Sequence, residues 1–219
     1  MRPTSFTYGP GPGLGAERWD LQTQGTTFVV PSHYLYSSYV ATSRERALDA
    51  AVELLGTQGL RALTHARVDE RAGLPKGSTS NYFRTRKALL FGVRERLAEL
   101  DTSAVGATLL PASREEFVEA LCGLLDHTTR DRRVPTTARL VLFMEASHDE
   151  LLRESMTHDR EAMESIVVVA LARLGARDPV TAAAAVAACF EGLLLHRIAR
   201  HEQSDPRPLF ELVVGAALE

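Results

Sequence analysis

From residue 42 onward the apolar positions recur at helical spacing. Leu48, Ala51, Val52 and Leu55 fall at i, i+3, i+4 and i+7, one face of a helix. Ahead of them, Thr42-Ser43-Arg44-Glu45 reads as a capping box. The Thr hydroxyl serves an orphan amide, and the Glu three residues on reaches back. Gly56 and Gly59 end this first helix, with Gly59 expected as a left-handed C-cap. Thr64 caps a second, short helix that turns Val68 and Ala72 inward, and Gly73-Leu74-Pro75 breaks it. Pro75 is expected among the first positions of a third helix, where its missing donor costs nothing. That helix runs through Ser78 to Phe83. A fourth covers about 86–100, with Leu89, Leu90, Val93 and Leu97 on one face.

The second half carries longer helical periods, at 115–129, 135–148, 151–174, 180–201 and, after Pro206-Arg207-Pro208, 209–218. The connections are short, so neighbouring helices are expected to pack antiparallel. The expected fold is all-α: a three-helix helix-turn-helix domain over 42–90, then a helical bundle over 91–219, about nine helices in all. Residues 1–41 read differently. Gly9-Pro10-Gly11-Pro12-Gly13-Leu14-Gly15 favours neither helix nor strand. Thr26 to Val30 has strand propensity, and Tyr34 to Val40 has no helical period. This segment is expected to be an extension with little structure of its own. A true start at Val40, with the preceding residues a gene-annotation artefact, is the alternative.

Composition narrows the class. A chain of 219 residues with 45% apolar and 24% charged residues can bury a core without staples. There is no run of 18 apolar residues, so no helical membrane span and no membrane partner are expected. Cys122 and Cys189, in apolar helical stretches, form neither a disulfide framework nor a zinc knuckle. A reduced, cytoplasmic protein is expected. Arginine outnumbers lysine 23 to 2, a mark of GC-rich coding. The formal charge of −3 hides a division. Residues 41–101 carry net +3 and residues 102–219 net −6, so a basic module joins an acidic one. The overall charge therefore does not argue against nucleic acid, because the footprint is local.

Two short helices joined by a Gly-containing turn, behind a packing helix, make a helix-turn-helix arrangement. A helix of that kind fits the major groove and aims its first residues at base edges. Here it carries Lys76, Ser78, Thr79, Ser80, Asn81 and Tyr82, short hydroxyl and amide groups with one cation and one phenol. Catalytic signatures are wanting: no G-x-S-x-G, no P-loop, and no G-x-G-x-x-G in a strand–helix context. Glu145-x-x-His148 has the i, i+3 spacing of carboxylate-bridged di-metal bundles, but such a site needs a second copy on facing helices. No enzyme activity, cofactor or metal site is expected.

The residues Thr64-x-x-x-Val68-x-x-x-Ala72-Gly73-Leu74-Pro75-Lys76-Gly77-Ser78-Thr79-Ser80-Asn81-Tyr82-Phe83-x-x-Arg86-x-Ala88-Leu89-Leu90 resemble the DNA-binding domain of TetR-family transcriptional regulators. The resemblance covers about 42–100. It implies that the third helix enters the major groove while the N-termini of the first, second and fourth helices meet phosphates. Lys76, Ser78, Ser80, Asn81 and Tyr82 then make base and nearby phosphate contacts. Thr64, Arg86, Thr42 and Arg44 are the phosphate-side candidates, and Phe83 anchors the third helix. Asp69 departs from the family, which commonly has Ala there. A buried Asp is costly, so it is expected to point outward or to mark a shifted register. Ser80 and Asn81 replace the more usual aromatics.

The same resemblance implies a small-molecule effector received among the central helices, for which Leu140, Phe143, Met144, His148, Met163, Val167 and Phe190 are candidates. The last two helices hold more apolar surface than one helix face needs. Val186, Cys189, Leu193, Leu194, Phe210, Val213, Val214 and Ala217 are expected at a homodimer surface, with plain intrachain packing as the alternative. The implied function is a one-component, ligand-responsive repressor that binds a palindromic double-stranded DNA operator as a dimer. A helical small-molecule-binding or architectural module without sequence-specific DNA recognition is the alternative, and a metal-carboxylate enzyme a third.

Overall fold

The computed structural model describes residues 19–23, 26–30, 41–105 and 111–219. The chain divides into two compact units, residues 1–42 and 43–219. In the first, β1 (Trp19–Thr23) pairs antiparallel with β2 (Thr26–Val30), Trp19 opposite Val30 and Thr23 opposite Thr26. The strand expected at 26–30 has a partner in β1. Thr26, Thr27, Val29 and Val30 are β-branched and suit a pleated ribbon. The tracts at 9–15 and 34–40 lie outside the described residues.

The second unit is all-α, with nine helices among the described residues. These are α1 (Ser43–Gln58), α2 (His65–Ala72), α3 (Ser78–Tyr82), α4 (Arg86–Val105), α5 (Arg114–Thr129), α6 (Arg133–Ala146), α7 (Glu150–Arg173), α8 (Pro179–Ala199) and α9 (Arg207–Leu218). A 3-10 turn, Leu60–Ala62, links α1 to α2. The helix starts follow capping chemistry. Ser113 accepts from the Glu116 amide at 3.1 Å, Asp149 from Leu152 at 3.2 Å and Asp178 from Thr181 at 3.1 Å. Pro179 fills the first turn of α8, where no amide is needed. Pro75 does not do so for α3; it sits one turn earlier, its carbonyl accepting from Ser78 N at 3.1 Å. Gly59 has φ 77° and ψ −178°, a glycine conformation other than the left-handed helical one expected.

Two apolar cores form. The first joins Leu48, Leu55, Leu63, Val68, Phe83, Leu89 and Val93 to Leu142 and Leu152, so α1 and α4 share a core with α6 and α7. The second packs Phe117, Leu121, Leu125, Leu171, Val186, Leu193, Phe210 and Val214 from α5, α7, α8 and α9. The α1–α6 contact is backbone-close: a Cβ on Gly56 would overlap the Val134 carbonyl. Polar ties add to it. Lys87 on α4 pairs with Asp149 at 2.8 Å, Arg94 donates to the Ser155 carbonyl at 2.6 Å, and Arg132 to the Leu100 carbonyl at 2.8 Å. The helix-turn-helix segment is thus fastened to α6 and α7 on both its flanking helices.

Candidate nucleic-acid interface

The turn between α2 and α3 is built from backbone chemistry. Gly73 closes α2 in the left-handed helical region, φ 61° and ψ 38°, which a side chain would resist. Leu74 N donates to the Asp69 carbonyl at 2.8 Å and completes the cap. Arg46 on α1 reaches across and donates to the Ala72 and Gly73 carbonyls at 2.7 and 3.1 Å. A cation there also suits the negative end of the α2 dipole. At the start of α2, Thr64 accepts weakly from Arg67 N at 3.4 Å, the cap expected of it.

The carboxylate of Asp69 overturns its expected placement. It points inward and is 2% exposed. The cost of burial is offset by three donors: Gly77 N at 2.7 Å, Thr79 N at 2.8 Å and the Thr79 hydroxyl at 2.5 Å. Burial pushes the Asp69 carboxyl up, but the Thr79 hydroxyl, the Thr79 and Gly77 amides and nearby His65 together hold it below the usual carboxylate range. Behind α3, Phe83 is buried beside Leu48 and Gly92. His65 Nε2 lies 2.6 Å from the Phe83 carbonyl.

With Thr79 and Phe83 turned in, Ser80, Asn81 and Tyr82 stand exposed, Tyr82 by 48%. Lys76 is exposed on the preceding turn. Ser78 is half-buried and returns its hydroxyl proton to the Pro75 carbonyl at 2.7 Å. Arg86 opens α4 and donates to the Leu60 carbonyl at 2.9 Å, which aims it along the same side as the Leu60–Ala62 turn. Thr42 is exposed just ahead of α1. Arg44 lies 5.5 Å over the Phe83 ring and 3.5 Å from Glu95. Between residues 61 and 87 seven basic side chains, at 61, 67, 71, 76, 84, 86 and 87, are exposed, against one exposed acid, Glu70. Arg71 and Lys87 are paired with Glu53 and Asp149 from outside that stretch, and the remaining surplus is the kind of local field that attracts a phosphate backbone. Sequence reasoning missed Asp69, Thr79 and Arg46 as organisers of the site. The signal available was the Asp and Thr ten residues apart across a Gly-broken turn.

The C-terminal candidates divide. Val186, Leu193, Phe210 and Val214 are buried in the core of their own protomer. That is the intrachain packing given above as the alternative to a place at the dimer surface. Cys189, Leu194, Val213 and Ala217 are partly buried against the same core. The exposed large apolar residues of α8 and α9 are instead Val180, Leu195, Leu209 and Leu212, the last 69% exposed. Among the described residues α8 is long and apolar enough, by length and composition, to cross a membrane, and only 22% of that stretch is buried. Glu191, His196 and Arg197 interrupt its apolar run, so no uninterrupted stretch of 18 apolar residues marks it.

Leu140, Met163, Val167 and Phe190 are half-buried, and Phe190 stacks on Phe210 at 6.1 Å. Phe143, Met144 and His148 are exposed, Met144 by 72%. None of the seven lines the polar cleft of about 360 Å³ formed by α5, the end of α8 and the α8–α9 connection. There Arg197, 5% exposed, donates to Asp126 and to Thr129 Oγ1, and Arg207 pairs with Glu119. Burial pushes the Cys122 thiol up, leaving it protonated at neutral pH.

A short helix held by its own domain, exposing hydroxyl, amide and phenol groups on a basic face and fastened to a helical body, defines a helix-turn-helix transcriptional regulator. Residues 47–93 match the family of bacterial regulatory proteins, tetR family, and residues 112–219 match the tetracyclin repressor-like C-terminal domain. The chain belongs to the TetR family of transcriptional regulators. It is similar to the HTH-type transcriptional regulator BetI of Rhizobium meliloti (strain 1021), 28% identical over 156 residues, 70% of this chain and 77% of that one. A transcriptional regulator from Streptomyces coelicolor A3(2) superposes with a TM-score of 0.62 at 25% identity, over 82% of this chain and 100% of that chain. The multidrug binding protein EbrR, complexed with ethidium, superposes with a TM-score of 0.64 at 22% identity, over 80% and 98%.

Proposed function

We propose that this regulator is a cytoplasmic, homodimeric repressor that reads a palindromic operator and is released by a small molecule. The observation that carries the operator reading is the division of α3: Thr79 and Phe83 face its own domain, and Ser80, Asn81 and Tyr82 face out. Short polar side chains at that place read base edges. Lys76, Arg86, Thr64 and Arg44, with Thr42 just ahead of α1, position the domain on phosphates.

The dimer reading rests on α8 and α9. Val180, Leu195, Leu209 and Leu212 leave water only against another apolar surface. Ala184, Ala188 and Gly192 recur every four residues on α8, and a Cβ on Gly192 would meet nothing in its own protomer. Small residues in such a row let a second helix approach closely. In the dimer, two α3 helices reach half-sites about 34–36 Å apart or a multiple of that.

Effector control works through the ties between α4 and the body. A molecule that fits one arrangement of α6, α7 and α8 better than another shifts α4 through Lys87, Arg94 and Arg132, and shifts α1 through the Gly56–Val134 contact. Operator affinity falls by the difference in its affinity for the two states. Leu140, Met163, Val167 and Phe190 supply the apolar half-buried surface, and residues 102–219 carry net −6. Both favour an organic cation, the class to which the ethidium held by EbrR belongs.

The test is selection of bound sites from random duplex DNA by the purified full chain at roughly physiological salt. An enriched inverted repeat is expected. A folded dimer that enriches nothing overturns the operator reading and leaves a degenerate DNA contact. For the effector, ethidium added to the free protein without DNA is expected to raise its Tm.

A further inference from the structure

We propose that Asp69 is a positioning residue for operator reading: it touches no base, but fixes which face of α3 meets the groove. The inference deepens the operator reading above and rests on it.

The helix that reads is five residues long. A helix so short has little stability of its own, and its first amides have no partner within it. Its N-cap residue is Gly77, which has no side chain to offer. The missing cap comes from another helix. Asp69, on α2, takes the Gly77 and Thr79 amides on its two carboxylate oxygens, and the Thr79 hydroxyl on one of them. Charge-assisted bonds of this kind are the strong ones.

The geometry does more than cap. Thr79 is wholly buried, so its bond to Asp69 sets the rotation of α3 about its axis. Successive residues on a helix are about 100° apart. Holding Thr79 inward therefore turns Ser80 and Asn81 outward, and sets Tyr82, three residues on and 48% exposed, at the edge of the outer face. At the other end, Phe83 is anchored in the core and His65, also on α2, lies against its carbonyl. Both ends of the reading helix are gripped by α2. Free of the Asp69 grip, α3 is held at one end only, and a roll of a few tens of degrees misaims three readers at once.

The experiment uses the full chain and four variants, D69A, D69N, T79S and T79V. Each is measured for binding to the selected operator and to a scrambled duplex of equal length at the same salt, with a thermal melt beside it. D69A is expected to lose roughly tenfold or more on the operator, since a buried charge-accepting site is left empty and the amides unpaired. On the scrambled duplex it is expected to stay within about twofold, because the phosphate-facing cations are untouched. T79S, which keeps the hydroxyl, is expected to retain the specificity ratio, and T79V to lower it. Should D69A fail to fold, D69N and T79V give the same reading.

An operator preference kept by D69A or by T79V overturns the inference. So does a loss shared equally by operator and scrambled DNA, which marks a purely structural role. If the unaltered protein selects no motif, the operator reading itself falls, and this inference with it.

Discussion

The carbonyl of Val134 occupies the space that a Cβ on Gly56 would need. The first helix of the reading domain and the first turn of α6 therefore meet backbone to backbone, and glycine is what lets them. Gly56→Ala is expected to force the two apart, at about 1–3 kcal/mol for an overpacked contact of this kind. Gly123→Ala, on α5 with nothing within 4 Å of the added carbon, is expected to stabilise by about 0.5–1 kcal/mol, as a helix-interior Gly→Ala change does. Thermal melts of the pair should move in opposite directions.

Base readers and phosphate holders respond differently to loss. Asn81→Ala and Tyr82→Ala are expected to relax base preference at single operator positions. Arg86→Ala is expected to weaken binding on all sequences alike and to reduce the salt slope by about one. Binding titrations at several salt concentrations, on the operator and on point-changed operators, separate the two. A uniform loss from Asn81→Ala contradicts its assignment as a reader.

The two kinds of apolar residue on the last helices are also separable. Leu212→Glu and Leu195→Glu change exposed positions and are expected to give folded monomers. Phe210→Ala removes a wholly buried ring and is expected to cost about 3–5 kcal/mol of stability whatever the oligomeric state. Sedimentation and thermal melting, read together, distinguish a lost interface from a lost core.

The Asp69 carboxyl has its folded-state value held below the usual carboxylate range. A group so lowered contributes stability that is fully present above the unfolded value, about 3.9 for Asp. The contribution is lost as pH falls through the folded value. Between pH 5 and 8 the domain is therefore expected to show no Asp69-linked change. Its acid unfolding is expected to move to higher pH in D69N, which has no carboxylate to protect. Equal acid midpoints for the two proteins contradict this account.

The helix order was legible from spacing, because each break carries its own chemistry. Gly73 supplies the left-handed cap, Thr64 and Asp178 supply N-caps, and Pro179 sits where no amide is wanted. The outward face of α3 was legible because Phe83 is apolar after a run of polar residues. Asp69 was not, because a buried acid is explained only by the amides that fold opposite it, and those belong to a turn ten residues on. The two apolar faces of the last helices were not separable for a related reason. Apolar period marks Val186, Leu193, Phe210 and Val214 as buried, but says nothing of which chain buries them. The residues left outside, Leu195, Leu209 and Leu212, lie one or two places along the same helices. The hairpin at 19–30 escaped for want of its first strand, whose Asp and Gln carry little strand propensity.

The split within α3 bears on how such a regulator changes its targets. Thr79 and Phe83 are buried and hold the helix, whereas Ser80, Asn81 and Tyr82 are exposed. Three adjacent codons can be rewritten without repacking a core or rebuilding a turn. On the operator reading proposed above, duplicated copies of the gene can diverge in the promoters they recognise while keeping one scaffold and one effector response.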